Sequence, residues 1–323
     1  MKKIGLFVLS VLLIVMFWQF DFSSFIMSIK KVSLLAFMGL LLIQIFSQLL
    51  LNYQWCRIGK VMGGEHNFFK MLYINARGMI IECVTPGVKI GGEVTRAILL
   101  KSDLKYTAGE AATLVTIQKM VSLFSFFLVN LFAFAHISNR LEIFKGTILK
   151  AIIYIFIILL ISILIGIFVF TTFFEDRAMK LSPKRKWTSA LHRYTLTLLS
   201  SIKVLKSIKG ELCKQFFLSL TIWMLFPLKM ILLVRLFTTG FDPVFLTEVT
   251  FISYMVGMIP LLPGGIGSFE ATMTSLLVVM QIDHNEALAI TMLFRFITFW
   301  FVIIISLLYA GIWKVGGKKN EVH

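Results

Sequence analysis

Long apolar runs alternate with short charged segments along most of the chain. Some of these runs have about the twenty residues that a helix needs to cross the hydrocarbon core of a bilayer. They are 4–20, 32–55, 108–138, 147–174, 212–239 and 286–313. We interpret the first run as an uncleaved helix rather than a signal peptide, because no small-residue cleavage pattern precedes Asp21. The pattern predicts an all-α, polytopic helical membrane protein with about six full crossings.

Two further apolar stretches, 68–101 and 244–281, are interrupted by Pro and Gly. Proline removes a backbone donor and glycine reaches positive φ, so neither stretch can remain one continuous helix. The interruptions contain Pro86 and Gly87 in the first stretch and Pro260 and Pro263 in the second. One interpretation is a kinked transmembrane helix. The other, which we favour, is a pair of re-entrant hairpins, the second with a half-helix that begins near Gly267.

The two interrupted stretches match each other in spacing. Glu93 follows Pro86 at the distance at which Glu270 follows Pro263, and a basic residue ends both Glu110–Lys119 and Glu286–Arg295. An odd number of predicted crossings separates the hairpins, so they enter the membrane from opposite sides. The spacing therefore predicts an inverted repeat, about 68–138 and about 244–313, as in secondary transporters. A chance match is the alternative.

Composition supports a membrane class and charge predicts the orientation. Hydrophobic residues make up 58% of the chain and charged residues 15%, and the net charge is +16. The positive-inside rule accounts for that charge without nucleic-acid binding, because Lys and Arg concentrate in alternate loops. We therefore expect residues 1–323 to form a single integral domain of the cell membrane, with both termini in the cytoplasm.

The basic loop 175–211 is the longest segment predicted to lie outside the membrane. Apolar residues recur in it at helical spacing, with Arg193, Lys203, Lys206 and Lys209 between them. This pattern predicts an interfacial helix on the anionic inner leaflet. A solvated linker is the alternative, and the loop is too short to bury the core of a catalytic domain.

Ionisable residues inside the apolar segments are the candidates for function. Each costs about 2.5–3.5 kcal/mol on insertion scales, so a functional role is the default interpretation. They are Arg77, Glu82, Glu93, Arg96, Lys119, Glu270 and Arg295. The sequence contains no metal-binding His-Glu-x-x-His motif and no P-loop, so we expect neither a metal nor another cofactor.

Three motifs resemble those of the lysylphosphatidylglycerol synthase transmembrane-region family, also called flippase-like or UPF0104 proteins. They are Thr85–Arg96, Leu262–Glu270 and Leu293–Trp300, and the resemblance runs from about residue 5 to 313. The chain ends at His323, so the resemblance implies the membrane region without the aminoacyltransferase half. One departure is Gln118-Lys119, where many members have Glu-Arg, which puts a charge role at position 118 in doubt.

The resemblance implies a lipid-translocating site with both signs of charge. Amides near Gly91, Gly92, Gly264, Gly265 and Gly267 would cradle a phosphate at two half-helix N-termini. Arg96, Arg295 and Lys119 would add cationic donors, and Glu93 and Glu270 would accept a cationic headgroup or a proton. The alternative is structural: the glutamates cap their own half-helices or pair with Arg96 and Arg295, and Lys119 reaches the interface.

These observations favour a flippase for an anionic or aminoacylated phospholipid, of the phosphatidylglycerol or lysyl-phosphatidylglycerol type, or for a related lipid-linked substrate. One alternative is an embedded enzyme of the phosphatidylglycerol lysyltransferase type, but we find no catalytic acid–base pair for it. Another is a non-catalytic subunit that docks a separate synthase or glycosyltransferase through the basic loop.

Overall fold

The structure is a computed structural model that describes residues 32–64, 67–85, 90–141, 146–180, 186–208, 210–259 and 263–320, with residues 23, 26 and 30. Within these ranges the regular elements are all helical. The predicted crossing 4–20 and the hairpin residues Pro86, Gly87 and Pro260 lie outside the described residues. The all-α prediction is therefore confirmed for the part of the chain that can be compared.

Twelve helices can be labelled along the described residues. They are α1 (Leu34–Val61), α2 (Phe68–Val84), α3 (Ile90–Asp103), α4 (Ala108–Arg140), α5 (Thr147–Val169), α6 (Thr171–Met179), α7 (Lys186–Ser207), α8 (Glu211–Val234), α9 (Pro243–Gly257), α10 (Ser268–Val279), α11 (His284–Arg295) and α12 (Phe301–Asn320). A 3₁₀ turn, Pro263–Gly265, precedes α10, and a π-helical segment, Phe296–Trp300, joins α11 to α12.

Local sequence explains where several helices begin. Thr107 and Glu110 form a capping box at the start of α4, in which each side chain bonds the backbone N–H of the other residue. Asn67 accepts hydrogen bonds from the first turn of α2. Asp242 caps α9, and Pro243 follows it at the first helical position, where its missing N–H costs nothing.

Among the described residues, five long apolar helices can cross a membrane by length and composition. They are Leu34–Val61, Ala108–Arg140, Ile148–Val169, Glu211–Val234 and the continuous segment His284–Val315. They correspond to five of the predicted crossings. The prediction of one helix over 147–174 is wrong at its C-terminal end, because α5 stops at Val169 and the short α6 follows after a turn at Phe170.

The basic loop 175–211 is mostly helical, since it contains the end of α6 and all of α7. One apolar face of α7 is turned towards the protein: Leu199, Ile202 and Leu205 are buried, and α7 packs against α4 and α6, whereas Val204 is exposed. The interpretation as a solvated linker is therefore wrong. The apolar stripe that predicted an interfacial helix covers protein surface, and the exposed basic side chains, such as that of Lys203, lie away from it.

The two predicted hairpins are present as pairs of packed helices, α2 with α3 and α9 with α10. The length of α4 sets the distance between the outer ends of the two hairpins, because its 33 residues extend for about 50 Å. The first hairpin ends at Asp103, next to the cap of α4 at Thr107. The second begins at Asp242, which accepts a hydrogen bond of 2.7 Å from Arg140 at the other end of α4. The hairpins therefore enter the protein from opposite ends.

Each half of the protein has its own apolar core. Residues of α1, α2, α3, α4 and α7 form one core at the Thr107 end. Residues of α1, α4, α5, α8, α9, α10 and α11 form the other, which extends to the Arg140 end. The ends of the two hairpins meet between these cores, where α2 packs against the Pro263–Gly265 turn.

Candidate functional site

A cavity of about 450 Å³ lies where the two hairpins meet. Residues of both hairpins and of α1, α4, α8, α11 and α12 line it. Its charged lining residues are Glu82, Glu93, Arg96, Lys119 and Arg295. Its aromatic lining residues are Trp55, Trp223, Phe226, Tyr254, Phe269, Phe299 and Tyr309. We call this space the hairpin cavity.

Two ion pairs form the wall of the cavity on the side of the first hairpin. Lys119 Nζ lies 2.6 Å from Glu93 Oε1, and both side chains are about a quarter exposed. Arg96 donates to Glu82 Oε2 at 3.0 Å, and its guanidinium lies over the Trp55 ring, 5.7 Å from the centroid. The structural alternative that paired Glu93 with Arg96 is therefore wrong, because each has a different partner. Lys119 is held in the site and does not reach for an interface.

Arg295 forms the wall on the side of the second hairpin. Its Nε lies 2.9 Å from Glu270 Oε1, and its Nη2 donates to the carbonyl oxygen of Gly264. The guanidinium also lies between two aromatic rings, 4.7 Å from the Phe269 centroid and 4.2 Å from that of Phe299. These contacts hold the charge in one place although the residue is only 5% exposed.

The second hairpin contains a glycine turn whose backbone conformation other residues adopt only with strain. Gly264, Gly265 and Gly267 all have positive φ, between 66° and 81°. A Cβ at Gly265 would lie 2.3 Å from the carbonyl oxygen of Gly257 on the other arm of the hairpin. The turn therefore depends on glycine for both its conformation and its close packing.

Glu270 has the capping role that one sequence interpretation gave it. Its Oε2 accepts a hydrogen bond of 2.7 Å from the N–H of Gly267 at the start of α10. Its other oxygen faces Arg295. A negative charge at this helix N-terminus is also favoured by the helix dipole. Glu270 therefore connects the glycine turn to Arg295.

The structure brings some of the predicted site residues to the cavity and leaves others outside. Glu93, Arg96, Lys119, Gly264, Gly265 and Arg295 line the cavity. Gly91, Gly92, Gly267 and Glu270 lie away from its lining. Gly92 packs against α2, where a Cβ would lie 2.7 Å from the carbonyl oxygen of Gly78. Of the hairpin prolines, only Pro263 lies in the described part of the chain, at the start of the 3₁₀ turn.

Sequence reasoning missed three charged contacts at buried positions. Lys229 is fully buried in α8 and donates to Gln44 and to Ser47 Oγ. Glu248 of α9 is buried against His136 of α4. Lys229 and Glu248 are charged residues within predicted apolar stretches. The high cost of inserting a charge into a membrane would therefore have marked both as candidates. The third contact, Arg57 with Glu211, joins the ends of two long helices at 2.6 Å.

The described residues hold no group of three His, Cys, Asp or Glu side chains placed to bind a metal. The cavity instead combines three cationic and two acidic side chains with aromatic walls. Such a lining can bind an anionic headgroup through charge-assisted hydrogen bonds and accept apolar chains beside it. A π-helical segment follows Arg295 directly, and such segments often occur at functional sites.

Comparisons with known proteins found a matching family model and similar membrane proteins. Residues 3–306 match the family model described as lysylphosphatidylglycerol synthase TM region. A UPF0104 membrane protein of Methanothermobacter thermautotrophicus is 25% identical over 256 residues, which are 74% of this chain and 73% of that protein. A UPF0104 membrane protein of Methanocaldococcus jannaschii is 24% identical over 267 residues, or 80% of this chain and 79% of that protein.

Proposed function

The chain belongs to the lysylphosphatidylglycerol synthase TM region family, and on that premise we propose that it moves a phospholipid between the leaflets of the cell membrane. The substrate we propose is an anionic or aminoacylated phospholipid of the phosphatidylglycerol or lysyl-phosphatidylglycerol type. The observation that carries the proposal is the hairpin cavity, in which Arg96, Lys119 and Arg295 meet between hairpins that enter from opposite ends.

The position of Glu270 makes the Arg295 side of the cavity favourable to an anion. Arg295 is a lining residue of the cavity, whereas its carboxylate partner Glu270 is not. A phosphate in the cavity can therefore approach the guanidinium on the side that does not contact Glu270 and Gly264. A guanidinium carries five N–H donors, so those that do not bond Glu270 and Gly264 support Arg295 as the phosphate contact.

The Glu93–Lys119 pair accounts for a substrate that carries both signs of charge. Both residues line the cavity, and each is about a quarter exposed. When the pair separates, Lys119 can bind a phosphate and Glu93 an amine. The pair therefore allows an anionic and an aminoacylated headgroup to use the same site.

Opposed hairpins support movement between leaflets rather than binding alone. Broken helices that meet between two halves are the architecture in which one half rocks against the other around a central site. Here the site lies between two separate apolar cores. We propose that both termini are cytoplasmic and that the exposed basic residues of α7 contact the anionic inner leaflet.

Leaflet exchange in liposomes tests the proposal. The purified protein is reconstituted with phosphatidylglycerol labelled on an acyl chain, and a reductant that cannot cross the membrane bleaches the outer leaflet. We expect the protected fraction to fall faster than in protein-free liposomes and in liposomes with an unrelated helical membrane protein. Equal rates in all three preparations, for phosphatidylglycerol and its lysyl form alike, would contradict the proposed function.

A further inference from the structure

A titratable pair of side chains lies outside the hairpin cavity, towards the Arg140 end of α4. The Nδ1 atom of His136 on α4 contacts Oε1 of Glu248 on α9. The side chain of Glu248 is only 3% exposed, whereas that of His136 is 48% exposed. Neither residue is one of those that line the hairpin cavity. The binding of a headgroup in that cavity therefore does not account for the pair.

The charge of Glu248 depends on its contact with His136. Its other oxygen, Oε2, is buried and has no hydrogen-bond partner in the described part of the chain. A buried carboxylate that loses its cationic partner is costly, so it takes up a proton and becomes neutral instead. Proton binding by Glu248 is therefore coupled to the distance between α9 and α4.

His136 provides a route from solution to this carboxyl group. Its ring is half exposed on one side and contacts Glu248 on the other, and histidine changes charge between about pH 5 and 8. Two further charges face Glu248, Arg140 of α4 and Asp242 at the start of α9, and they bond each other at 2.7 Å. On the adjacent α5, Lys150 bonds Asn139. The pair is therefore the group at this end that titrates near neutral pH.

The charged residues of the other helices that pack against α9 have partners elsewhere. In α8, Lys229 bonds two residues of α1. The other charged residues of α8 lie in its first turn, about four helical turns before Lys229. In α10, Glu270 pairs with Arg295 of the cavity wall. These contacts leave His136 as the cation that compensates Glu248.

Helix α9 connects the pair to the hairpin cavity. Tyr254 and Gly257, near the C-terminal end of α9, line the cavity. The glycine turn packs closely on the carbonyl oxygen of Gly257, and Gly264 in that turn accepts a hydrogen bond from Arg295. A movement of α9 along α4 is therefore transmitted to the wall that Arg295 forms.

We propose that His136 and Glu248 form a proton-binding site that couples protonation at the Arg140 end to movement of the second hairpin and of the lipid. The imidazole takes a proton from the solution. When α9 moves away from α4, this proton passes from Nδ1 of His136 to Oε1 of Glu248, and the imidazole returns to its neutral form. Without the proton, the same movement leaves an unpaired buried carboxylate and is unfavourable.

Distance measurements test the movement of the hairpin independently of lipid exchange. Asn139→Cys on α4 and Val244→Cys on α9 replace exposed residues near the pair, and each carries a spin label in a protein whose three native cysteines are serines. We expect pulsed electron paramagnetic resonance to show one distance at pH 8 and a second, longer distance at pH 6. The ratio of the two populations should change by up to about tenfold per pH unit, the limit for one proton. Identical distances at both pH values would overturn the inference.

Variants of the pair separate proton binding from packing. Glu248→Gln resembles the neutral carboxyl group in shape, so the longer distance should be present at pH 6 and pH 8 alike. His136→Gln removes the proton donor, so the response between these pH values should be lost. Asp242→Asn is the matched control, because it breaks the exposed pair with Arg140 but keeps an acceptor for the start of α9, and the response should stay. A pH response that survives in Glu248→Gln would contradict the inference.

The exchange assay measures the effect of the proton on lipid movement, and this part rests on the proposed function. With equal pH on both sides of the liposome, the unsubstituted protein should move phosphatidylglycerol roughly tenfold faster at pH 6 than at pH 8. Glu248→Gln should move it at similar rates at both. Equal rates for the unsubstituted protein would overturn the coupling. No exchange under any condition would contradict the proposed function alone, and the distance measurements then decide whether the proton moves the hairpin.

Discussion

Lys119 of α4 lies 2.6 Å from Glu93 of the first hairpin, and this ion pair joins the longest helix of the protein to the hairpin cavity. The two residues lie on consecutive helices, and they face the same space as Arg96 and Arg295. The pair is only partly shielded from solvent, so it can exchange its internal partner for an external one. That property fits a site that binds and releases a charged headgroup.

Reversal of one charge in this pair should lower the stability of the protein. Lys119→Glu places two carboxylates together in the cavity, and we expect a loss of about 1 kcal/mol in stability, as for partly exposed pairs. The charge swap that combines Glu93→Lys with Lys119→Glu restores the attraction and should recover the melting temperature. Thermal unfolding in detergent measures the stability of the single variant and of the charge swap. A double variant no more stable than Lys119→Glu alone would show that the pair contributes nothing.

Gly265→Ala should destabilise the turn of the second hairpin. Alanine resists a φ of 69°, and its Cβ would lie 2.3 Å from the carbonyl oxygen of Gly257. Backbone strain of this kind costs about 1–3 kcal/mol, and the clash adds to it. Thermal unfolding should show a lower melting temperature.

Gly39→Ala is the matched control for the turn. Gly39 lies inside α1, and a Cβ there meets no other atom within 4 Å. Alanine should be neutral or stabilise the helix by about 0.5–1 kcal/mol. Similar losses at positions 39 and 265 would contradict the role assigned to the turn.

Two substitutions of Glu270 should separate the stability contributed by its helix cap from that contributed by its charge. Glu270→Gln keeps an acceptor for the N–H of Gly267 but leaves Arg295 without its counter-ion, and Glu270→Ala removes both. Loss of one partner of a buried pair costs about 3–5 kcal/mol. We expect alanine to cost about 1 kcal/mol more than glutamine, which is the usual contribution of a helix cap. Unfolding measurements that find the two variants equal would show that the cap is dispensable.

Cysteine labelling tests whether the hairpins open on opposite sides of the membrane. The three cysteines of the sequence, Cys56, Cys83 and Cys213, can be replaced by serine first. Ser102→Cys then marks the base of the first hairpin, and Gly240→Cys marks the loop before the second. A reagent that cannot cross the membrane should label position 102 only from the cytoplasm and position 240 only from outside. Labelling of both from the same side would contradict the inverted arrangement.

Helix positions and hairpins were largely predictable from the sequence because they depend on local rules. The run 108–138 corresponds to α4, and α10 begins at Ser268, next to the predicted start at Gly267. Apolar length and the conformational demands of Pro and Gly act over neighbouring residues. The inverted repeat stays a prediction as a relationship between sequences, although the hairpins do enter from opposite ends.

Partners of charged residues were harder to predict because they depend on how different helices pack against one another. Spacing placed Glu93 one helical turn before Arg96, yet α4 brings Lys119 to Glu93 and α2 brings Glu82 to Arg96. The sequence predicts the apolar stripe of α7, but it does not show that α4 covers this stripe. Lys229 was overlooked inside an otherwise apolar run, where α1 provides Gln44 and Ser47 as its partners.

The comparison of Arg295→Ala with Arg140→Ala in the leaflet-exchange assay tests the central claim most directly. Both variants remove one arginine from an ion pair, but Arg295 lines the hairpin cavity and Arg140 lies in an exposed pair at the end of α4. If the cavity carries the phosphate, Arg295→Ala should slow phosphatidylglycerol exchange by about 10- to 100-fold, as expected for a charged hydrogen bond. Arg140→Ala should stay near the unsubstituted rate. Equal rates in two variants that remain folded would contradict the assignment of lipid movement to this cavity.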